Sequence, residues 1–396
     1  MSKRVAAFDR FIRGAFVEMN TALENLYFAR EDRAEVMSVG ASIKHALRDE
    51  GHAHIVGLLR EGNTGDGFAS AFDVLGNVGL YMGALRRHEL TNPAREERSP
   101  FPEASALSLH VGASLGMAPR FATAHLATHN LAIRGIRKSF TSLPDEMLFI
   151  DENTRGILLL QTAADALTRI VHIGVTSPVA DVLFATAVEA LRGVAAHNAR
   201  LYEQLDPERF FYSVRPYYKP YRVGRQEYRG ANAGDFSGIN ELDLLLGLCR
   251  ANDPYYAQLL VDKMLFMLPE DQARLRTCMT YRSLLDQLLE VAEHAAEDWF
   301  QRNGTAFLQT CEIFGQLARQ HHDELVARFI VRPAASLSEE RLRGITASGP
   351  PLPELLRSLE RLRDLRMAVA NPELGTRGAD LERLRGLIRL GPPRRT

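Results

Sequence analysis

The sequence lacks the usual marks of a disulfide-bonded, secreted or nucleic-acid-binding protein. Its 396 residues include only 3 cysteines, at positions 249, 278 and 311, too far apart to form the CxxC pair used in zinc or redox sites. Lys and Arg number 48 against 49 Asp and Glu, a net charge of -1. So small a charge offers no basic field for nucleic acid or an anionic membrane. We therefore expect neither as a partner.

Long apolar runs are also missing. Residues 1–30 mix charged with apolar side chains and contain no apolar core of a signal peptide. No stretch reaches the roughly 18 consecutive apolar residues that cross a bilayer. The composition, 46% hydrophobic and 24% charged, is that of an ordinary globular protein. These features predict a cytoplasmic location.

Widely used catalytic motifs are missing as well, since the sequence contains no HExxH, GxxxxGK[ST], GxSxG or GxGxxG. The glycine-rich stretch 62–67 lacks the basic residue that follows a phosphate-binding loop, and we interpret it as a plain loop. Candidates for chemistry must therefore be sought among individual residues.

The hydrophobic pattern predicts an all-α fold, because apolar residues recur every three or four positions along most of the chain. A Pro-bearing, charged stretch at 91–100 interrupts this pattern. Further loop signals occur at 143–145, across 214–236 and after Arg332. We predict an N-terminal helical unit over residues 1–100, a larger helical domain over 101–355, and a C-terminal helix with an Arg-rich tail over 356–396.

Two histidine pairs stand out among the 12 histidines, since imidazole is the commonest metal ligand in proteins. His125 and His129 share one face of a helix at a spacing of four residues. Three roles are open to them. They bind a metal as a two-histidine site, supply a polar group to the wall of a pocket, or are structural histidines with their own hydrogen-bond partners. The sequence around them supplies no carboxylate or cysteine at ligand spacing.

His321 and His322 flank the apolar stripe of a long helix predicted over 307–330. The small residues Gly315 and Ala318 lie one turn earlier, so a flat hydrophobic macrocycle would fit against this face. Periodicity does not choose between the two imidazoles. A core histidine with a polar partner is the alternative.

Arg215 is the candidate for binding a carboxylate. It lies in the aromatic segment 209–218 and is followed by Pro216, which ends a helix. A guanidinium among aromatic rings binds a carboxylate through two parallel hydrogen bonds in a water-poor site. A structural arginine at a helix end is the alternative.

Four segments of the chain resemble the indoleamine 2,3-dioxygenase superfamily of haem enzymes. In order, they cover residues 115–127, 210–230, 230–237 and the helix that contains His322. The spacing is most similar to the branch that contains the ring-rearranging enzyme of pyrrolnitrin biosynthesis. The resemblance implies an all-α haem-binding domain, with a smaller helical unit at its N-terminus.

The resemblance also implies roles for individual residues. His322 corresponds to the proximal ligand of the iron in a non-covalent b-type haem, with His321 as the alternative. Arg215 corresponds to the residue that holds the carboxylate of the amino-acid substrate. The other implied positions are substrate-binding for Phe210, Phe211, Thr123, Leu126 and Ala127, cofactor-binding for Phe314, Ala233 and Gly234, and catalytic for Gln161, Asn232 and Ser348.

The sequence departs from the indoleamine dioxygenases at several of these positions. Their loop Gly-Gly-Ser-Ala-Gly-Gln-Ser-Ser is replaced by a loop containing Asn232, Asp235 and Phe236, and Gln161 stands in place of a serine. The glycine-rich loop after the proximal helix is reduced to residues 346–350. The departures favour the branch of secondary metabolism over simple opening of the tryptophan ring.

We therefore expect oxygenation or oxidative rearrangement of tryptophan, tyrosine or a substituted derivative, with dioxygen or peroxide as the oxidant. One alternative is dioxygenation of the indole ring to N-formylkynurenine. A second is a haem-binding or gas-sensing protein without turnover, and a third is a metal-free helical scaffold. A homodimer is left open.

Overall fold

The computed structural model describes residues 2–62, 66–232, 234–335, 337–338, 352–371 and 373–389. These residues are mostly helical, which confirms the predicted all-α class. The longer α-helices are α1 (Lys3–Arg13), α2 (Ala15–Phe28), α3 (Ala41–Glu61), α4 (Phe68–Arg87), α5 (Pro102–Leu115), α6 (Pro144–Ile173), α7 (Ala180–Gln204), α8 (Ser237–Leu245), α9 (Pro254–Met264), α10 (Pro269–Cys278), α11 (Leu284–Glu290), α12 (Asp298–Gln320), α13 (Leu352–Arg366) and α14 (Gly378–Arg389).

Shorter elements connect these helices. Two π-helical segments cover Phe210–Val214 and His321–Val331, and two strands, β1 (Tyr221–Val223) and β2 (Gln226–Tyr228), form an antiparallel hairpin. The remaining single turns are Pro93–Arg95, Thr123–His125, Pro207–Arg209, Arg215–Tyr218, Ala292–His294 and Arg332–Ala334. The stretch that the sequence predicts to be irregular, 214–236, therefore contains a 3-10 turn, the hairpin and a loop.

Local sequence signals explain where several helices begin and end. Ser2 caps α1 by accepting a hydrogen bond from the backbone N–H of Val5 at 3.2 Å. Proline opens α6 at residue 144, where its missing N–H leaves no helical hydrogen bond unmade. At the end of α5, Gly116 adopts a φ of 67°, the left-handed conformation that glycine tolerates best.

The first apolar core joins the N-terminal helices to later parts of the chain. Side chains of α1, α3, α4 and α5 pack there with Phe121, Phe140, Tyr217 and Tyr221. The predicted break at 91–100 is a loop, and α5 folds back from it against α3 and α4. The core of residues 1–100 is thus continuous with that of residues 101–231, because a charged Pro-bearing loop interrupts a helix without dividing a core.

The second apolar core is organised by the long helices α6 and α7. These helices pack along each other, α12 lies against α7, and α8 lies against α6. The helices α13 and α14 close the core beside α12. The sequence predicts one final helix near Pro353, whereas the structure has α13 beginning at Leu352 and then α14.

Two helices, α4 and α6, are long and apolar enough to span a membrane when length and composition alone are considered. In the folded chain, 83% of the most apolar window of α4 and 44% of that of α6 are buried. Soluble proteins bury their core helices in this way, so the two helices are weak grounds for a membrane span.

A buried ion pair connects the N-terminal helices to the irregular segment. Arg87 donates to both carboxylate oxygens of Glu24, at 2.7 and 2.8 Å, and both side chains are almost fully buried. The same guanidinium donates to the backbone carbonyl of Tyr212 at 2.7 Å. The position of the first π-helical segment is therefore tied to α2 and α4.

Removal of one partner of this pair should destabilise the protein strongly. We expect Arg87→Met to lower the free energy of unfolding by about 3–5 kcal/mol, because Glu24 would remain buried as an unpaired charge. Urea denaturation followed by circular dichroism measures the loss. The matched control is Arg48→Met, which breaks the exposed pair with Asp49 and should leave the free energy of unfolding nearly unchanged. Equal losses for the two variants would contradict the assignment.

Candidate active site

A cavity of about 490 Å³ is lined by residues of the second core and of the irregular segment. Its wall is contributed by α6, α7, α9, α12, α13, the two π-helical segments and the loop before α8. The apolar side chains that form most of this wall include Leu126, Phe149, Ile157, Leu160, Leu201, Phe210, Phe236, Phe314, Leu317, Leu325 and Leu362. A buried, mainly apolar cavity with a few polar groups is typical of a small-molecule site.

Both π-helical segments border the cavity at the candidate residues. The first segment, Phe210–Val214, is followed directly by Arg215. The second segment, His321–Val331, begins at His321. The rings of Phe210 and Phe329 meet edge to face across the two segments, with centroids 6.0 Å apart. Because π-helical turns are rare and concentrate at functional sites, their coincidence with both candidates supports this location.

Arg215 lines the cavity and has no anionic partner among the described residues. Its side chain is only 6% exposed, and neither Nη atom has a hydrogen-bond partner. Burial lowers the pKa of the guanidinium to about 10, which still leaves it charged at neutral pH. The ring of Phe211 lies behind it, with its centroid 5.7 Å from the guanidinium carbon. A buried, unpaired cation is costly, and a ligand carboxylate would supply what it lacks.

The two adjacent histidines both line the cavity, in different environments. Burial, the charge of Arg366 and then that of His322 lower the pKa of His321 to about 4, so its imidazole is neutral. His322 is half-buried, and its Nδ1 lies 3.0 Å from Asp323 Oδ1. Metal-ligating histidines usually donate their second ring nitrogen to a carboxylate, and Asp323 would accept from His322 in the tautomer protonated at Nδ1, a nitrogen that also lies 3.4 Å from Arg363 Nη1.

Most other residues implied by the resemblance also lie at this cavity. Thr123 Oγ1 donates to the backbone carbonyl of Asn232 at 2.5 Å, and the backbone N–H of Asn232 donates to Asp235 at 2.8 Å. The Asp235 carboxylate accepts two hydrogen bonds from Arg229, both at 2.9 Å. The predicted residues found in the wall are Thr123, Leu126, Ala127, Phe210, Arg215, Asn232, Gly234, Phe314, His321 and His322.

Two predicted residues point elsewhere, and these predictions are corrected here. Gln161 is placed on the side of α6 that packs against Gly238 of α8, so it does not line the cavity. On the cavity side, α6 presents Gly156, Ile157 and Leu160 instead. Phe211 is fully buried in a separate small cluster with Ala334, where it supports Arg215 from behind. The resemblance predicted which two segments lie at the cavity, but it did not predict which of their side chains face it.

Two other predicted residues, Ala233 and Ser348, lie outside the described residues. The same holds for part of the stretch 62–67 and for the tail beyond residue 389.

The other histidine pair is structural. His125 is buried, its ring stacks on Phe72 with centroids 3.7 Å apart, and its Nε2 lies 2.9 Å from the Phe72 carbonyl oxygen. His129 is exposed and pairs with the neighbouring Thr128. Across the part of the chain that the structure describes, no three His, Cys, Asp or Glu side chains are grouped to hold a metal ion.

Sequence analysis missed several charged residues of the cavity wall. Lys263 on α9 and Arg363 and Arg366 on α13 all line it, together with Glu152 on α6. Charged residues on amphipathic helices usually face solvent, so the sequence pattern gave no reason to select them. Arg363 pairs with the neighbouring Asp364, whereas the partner of Arg366 is Asp243, which is distant in the chain and is revealed only by the fold.

The fold and site define a mainly α-helical protein with a mainly apolar cavity that contains the unpaired guanidinium of Arg215. Residues 2–388 match the family model of monodechloroaminopyrrolnitrin synthase PrnB. The chain therefore belongs to this family, and the resemblance to the pyrrolnitrin branch predicted from the sequence is confirmed. The family is named for an enzyme, a synthase.

Gly156 offers a test of the cavity itself. A Cβ atom at this position would meet no other atom within 4 Å, so Gly156→Ala should raise the free energy of unfolding by roughly 0.5–1 kcal/mol through helix propensity. The control is Gly79→Ala in α4, whose Cβ would collide with the backbone nitrogen of Phe121 and should destabilise the protein. Thermal denaturation measures both. A destabilised Gly156→Ala would show that α6 is packed tightly at this point.

Proposed function

We propose that this chain is a haem-dependent oxidoreductase that carries out an oxidative rearrangement of tryptophan or a substituted derivative in secondary metabolism. The observation that carries the proposal is the unpaired, buried guanidinium of Arg215 in the same cavity as His321 and His322. The cavity thus combines groups for a metal-centred macrocycle with a group for a carboxylate. Membership of the synthase family supports both assignments.

The residues of the cavity fit a non-covalent b-type haem. Its wall is mainly apolar, and neutral imidazole is a common axial ligand of haem iron. We assign His322 as the ligand, with Asp323 orienting its ring through Nδ1. Phe314, which lies on α12 and lines the same cavity, would contact the macrocycle. The cysteines at 249, 278 and 311 are buried and lie outside the wall, which agrees with non-covalent binding.

The amino-acid substrate is held at its carboxylate end by Arg215 in this proposal. Two parallel hydrogen bonds from the guanidinium fix the direction of the carboxylate, and the rest of the substrate follows that direction into the cavity. Phe210, Leu126 and Ala127 form apolar wall for the aromatic ring. Asn232, whose backbone is anchored at both Thr123 and Asp235, is placed to accept or donate a hydrogen bond to the substrate.

A bound haem iron would supply the redox chemistry with dioxygen or peroxide, and the protein supplies orientation and exclusion of water. Beyond the Glu152 carboxylate, α6 presents Gly156, Ile157 and Leu160 to the cavity and no hydroxyl group, unlike the serine expected in indoleamine dioxygenases. This composition favours rearrangement over simple dioxygenation. A cytoplasmic enzyme that acts as a monomer or a homodimer agrees with the proposal.

Arg215 is tested by comparing ligands with and without a carboxylate. Arg215→Lys should weaken L-tryptophan binding by roughly tenfold or more, because one ammonium replaces the planar fork. Tryptamine, which lacks the carboxylate, should bind the variant and the wild type equally. Titration of the haem-loaded protein, followed by its visible absorption spectrum, gives both dissociation constants.

The control for this experiment is Arg209→Lys, in the turn just before the same π-helical segment. Arg209 lies over the ring of Phe28 rather than at the cavity, so tryptophan binding should be unchanged. Unchanged tryptophan affinity in Arg215→Lys would remove Arg215 from the substrate site.

The iron ligand is tested by His322→Ala beside His321→Ala, each purified from haem-supplemented cells. We expect the Soret band to be lost in His322→Ala and retained in His321→Ala, because only one imidazole is assigned to the iron. Added imidazole should restore haem binding to His322→Ala. The opposite pattern would assign His321 as the ligand, and a wild type that takes up no haem would overturn the proposed function.

A further inference from the structure

Five cationic side chains line the cavity, and three of them are neutralised by the protein. Arg229 pairs with Asp235 at 2.9 Å, and Arg363 pairs with Asp364 at 2.8 Å. The third, Arg366, donates to both oxygens of the buried Asp243 at 2.8 Å. These charges are therefore accounted for within the fold.

The other two cations, Arg215 and Lys263, have no carboxylate partner among the described residues. Arg215 is assigned above to the substrate. Lys263, on α9, makes one hydrogen bond, from Nζ to Asn240 Oδ1 at 3.3 Å. A Cβ atom on Gly234 would lie 3.4 Å from the same Nζ, so the ammonium lies next to Gly234 in the loop before α8.

The surroundings of Lys263 hold its ammonium in a fixed position. The buried Asn240 donates through Nδ2 to the carbonyl of Phe236 at 2.8 Å, which turns its Oδ1 toward Lys263. Burial and then the charge of Arg366 lower the pKa of Lys263 to about 8. The charges of Asp235 and Asp243 oppose this shift, but no carboxylate of the described residues forms an ion pair with Lys263.

Lys263 lines the same cavity as His321 and His322. A cofactor ligated by a histidine of this wall would occupy the cavity that the Lys263 ammonium lines. A b-type haem carries two propionate groups at one edge, and their charges require cationic partners when the macrocycle is buried.

We propose that the Lys263 ammonium, oriented by Asn240, is the counter-ion of a haem propionate, an inference that rests on the proposed haem-binding function. The propionate would be to Lys263 what Asp235, Asp243 and Asp364 are to the other three cations, namely its carboxylate partner. Arg215, on a different element, remains free for the carboxylate of the substrate.

The test compares haem with its dimethyl ester, in which both propionates are uncharged. Apoprotein is titrated with each compound and the Soret band gives the dissociation constants. Lys263→Met should bind haem roughly tenfold or more weakly than the wild type, because a charge-assisted hydrogen bond is lost. The dimethyl ester should bind both proteins equally, and Lys263→Arg should keep most of the haem affinity.

Two controls separate this effect from general damage. Lys3→Met removes an exposed lysine far from the cavity and should leave haem affinity unchanged. Retained affinity for the dimethyl ester shows that Lys263→Met still folds its cavity. The affinity of haem-saturated Lys263→Met for L-tryptophan should equal that of the wild type.

Three results would overturn the inference. Equal loss of haem and dimethyl ester affinity would mark Lys263 as a structural residue, and unchanged haem affinity would remove it from the propionate. Weakened tryptophan binding with normal haem affinity would place Lys263 in the substrate site. In each of these cases the wild type still binds haem, whereas a wild type that binds neither compound would overturn the proposed function as well.

Discussion

The desolvated guanidinium of Arg215 is the constraint on which the arrangement of the site depends. A charge buried without a counter-ion opposes folding, so the surrounding structure must hold it in place. Phe211 packs behind it, and Arg87 fixes the preceding segment by bonding the Tyr212 carbonyl while it pairs with Glu24. The N-terminal helices thus share a core with the domain that follows because they support the segment that carries the charge.

Helix geometry places the two candidate groups in one cavity. The first π-helical segment ends just before Arg215, and the second begins at His321. A π turn shifts the side chains that follow it around the helix axis, so residues that regular α-helix would turn into the core can line a cavity instead. Contact between Phe210 and Phe329 couples the two segments. The same local departure from α-helix therefore serves both ends of the site.

The sequence was informative where a residue type and its neighbours limit the chemistry. Arg215 among aromatics and His321 and His322 on an apolar stripe were found in this way, and the all-α class followed from periodicity. The direction of a side chain on a helix was not predictable from the resemblance, because a rotation of one residue, about 100°, moves it from the cavity to a packed face. Gln161 is such a case. The loop at 91–100 carries no information on which helices share a core, and the structure shows that the helices before it pack in one core with residues after it.

Charge balance supplied what neither periodicity nor resemblance could. Arg366 and its partner Asp243 lie far apart in the chain, so the sequence does not distinguish this neutralised cation from Lys263, which lacks a carboxylate. Only the folded structure distinguishes cationic side chains that are paired with a carboxylate from those that are not. Two such cations on different elements agree with the two anionic groups proposed for the cavity. A cofactor with acidic side chains and an amino-acid substrate account for both, and a single carboxylate ligand accounts for one.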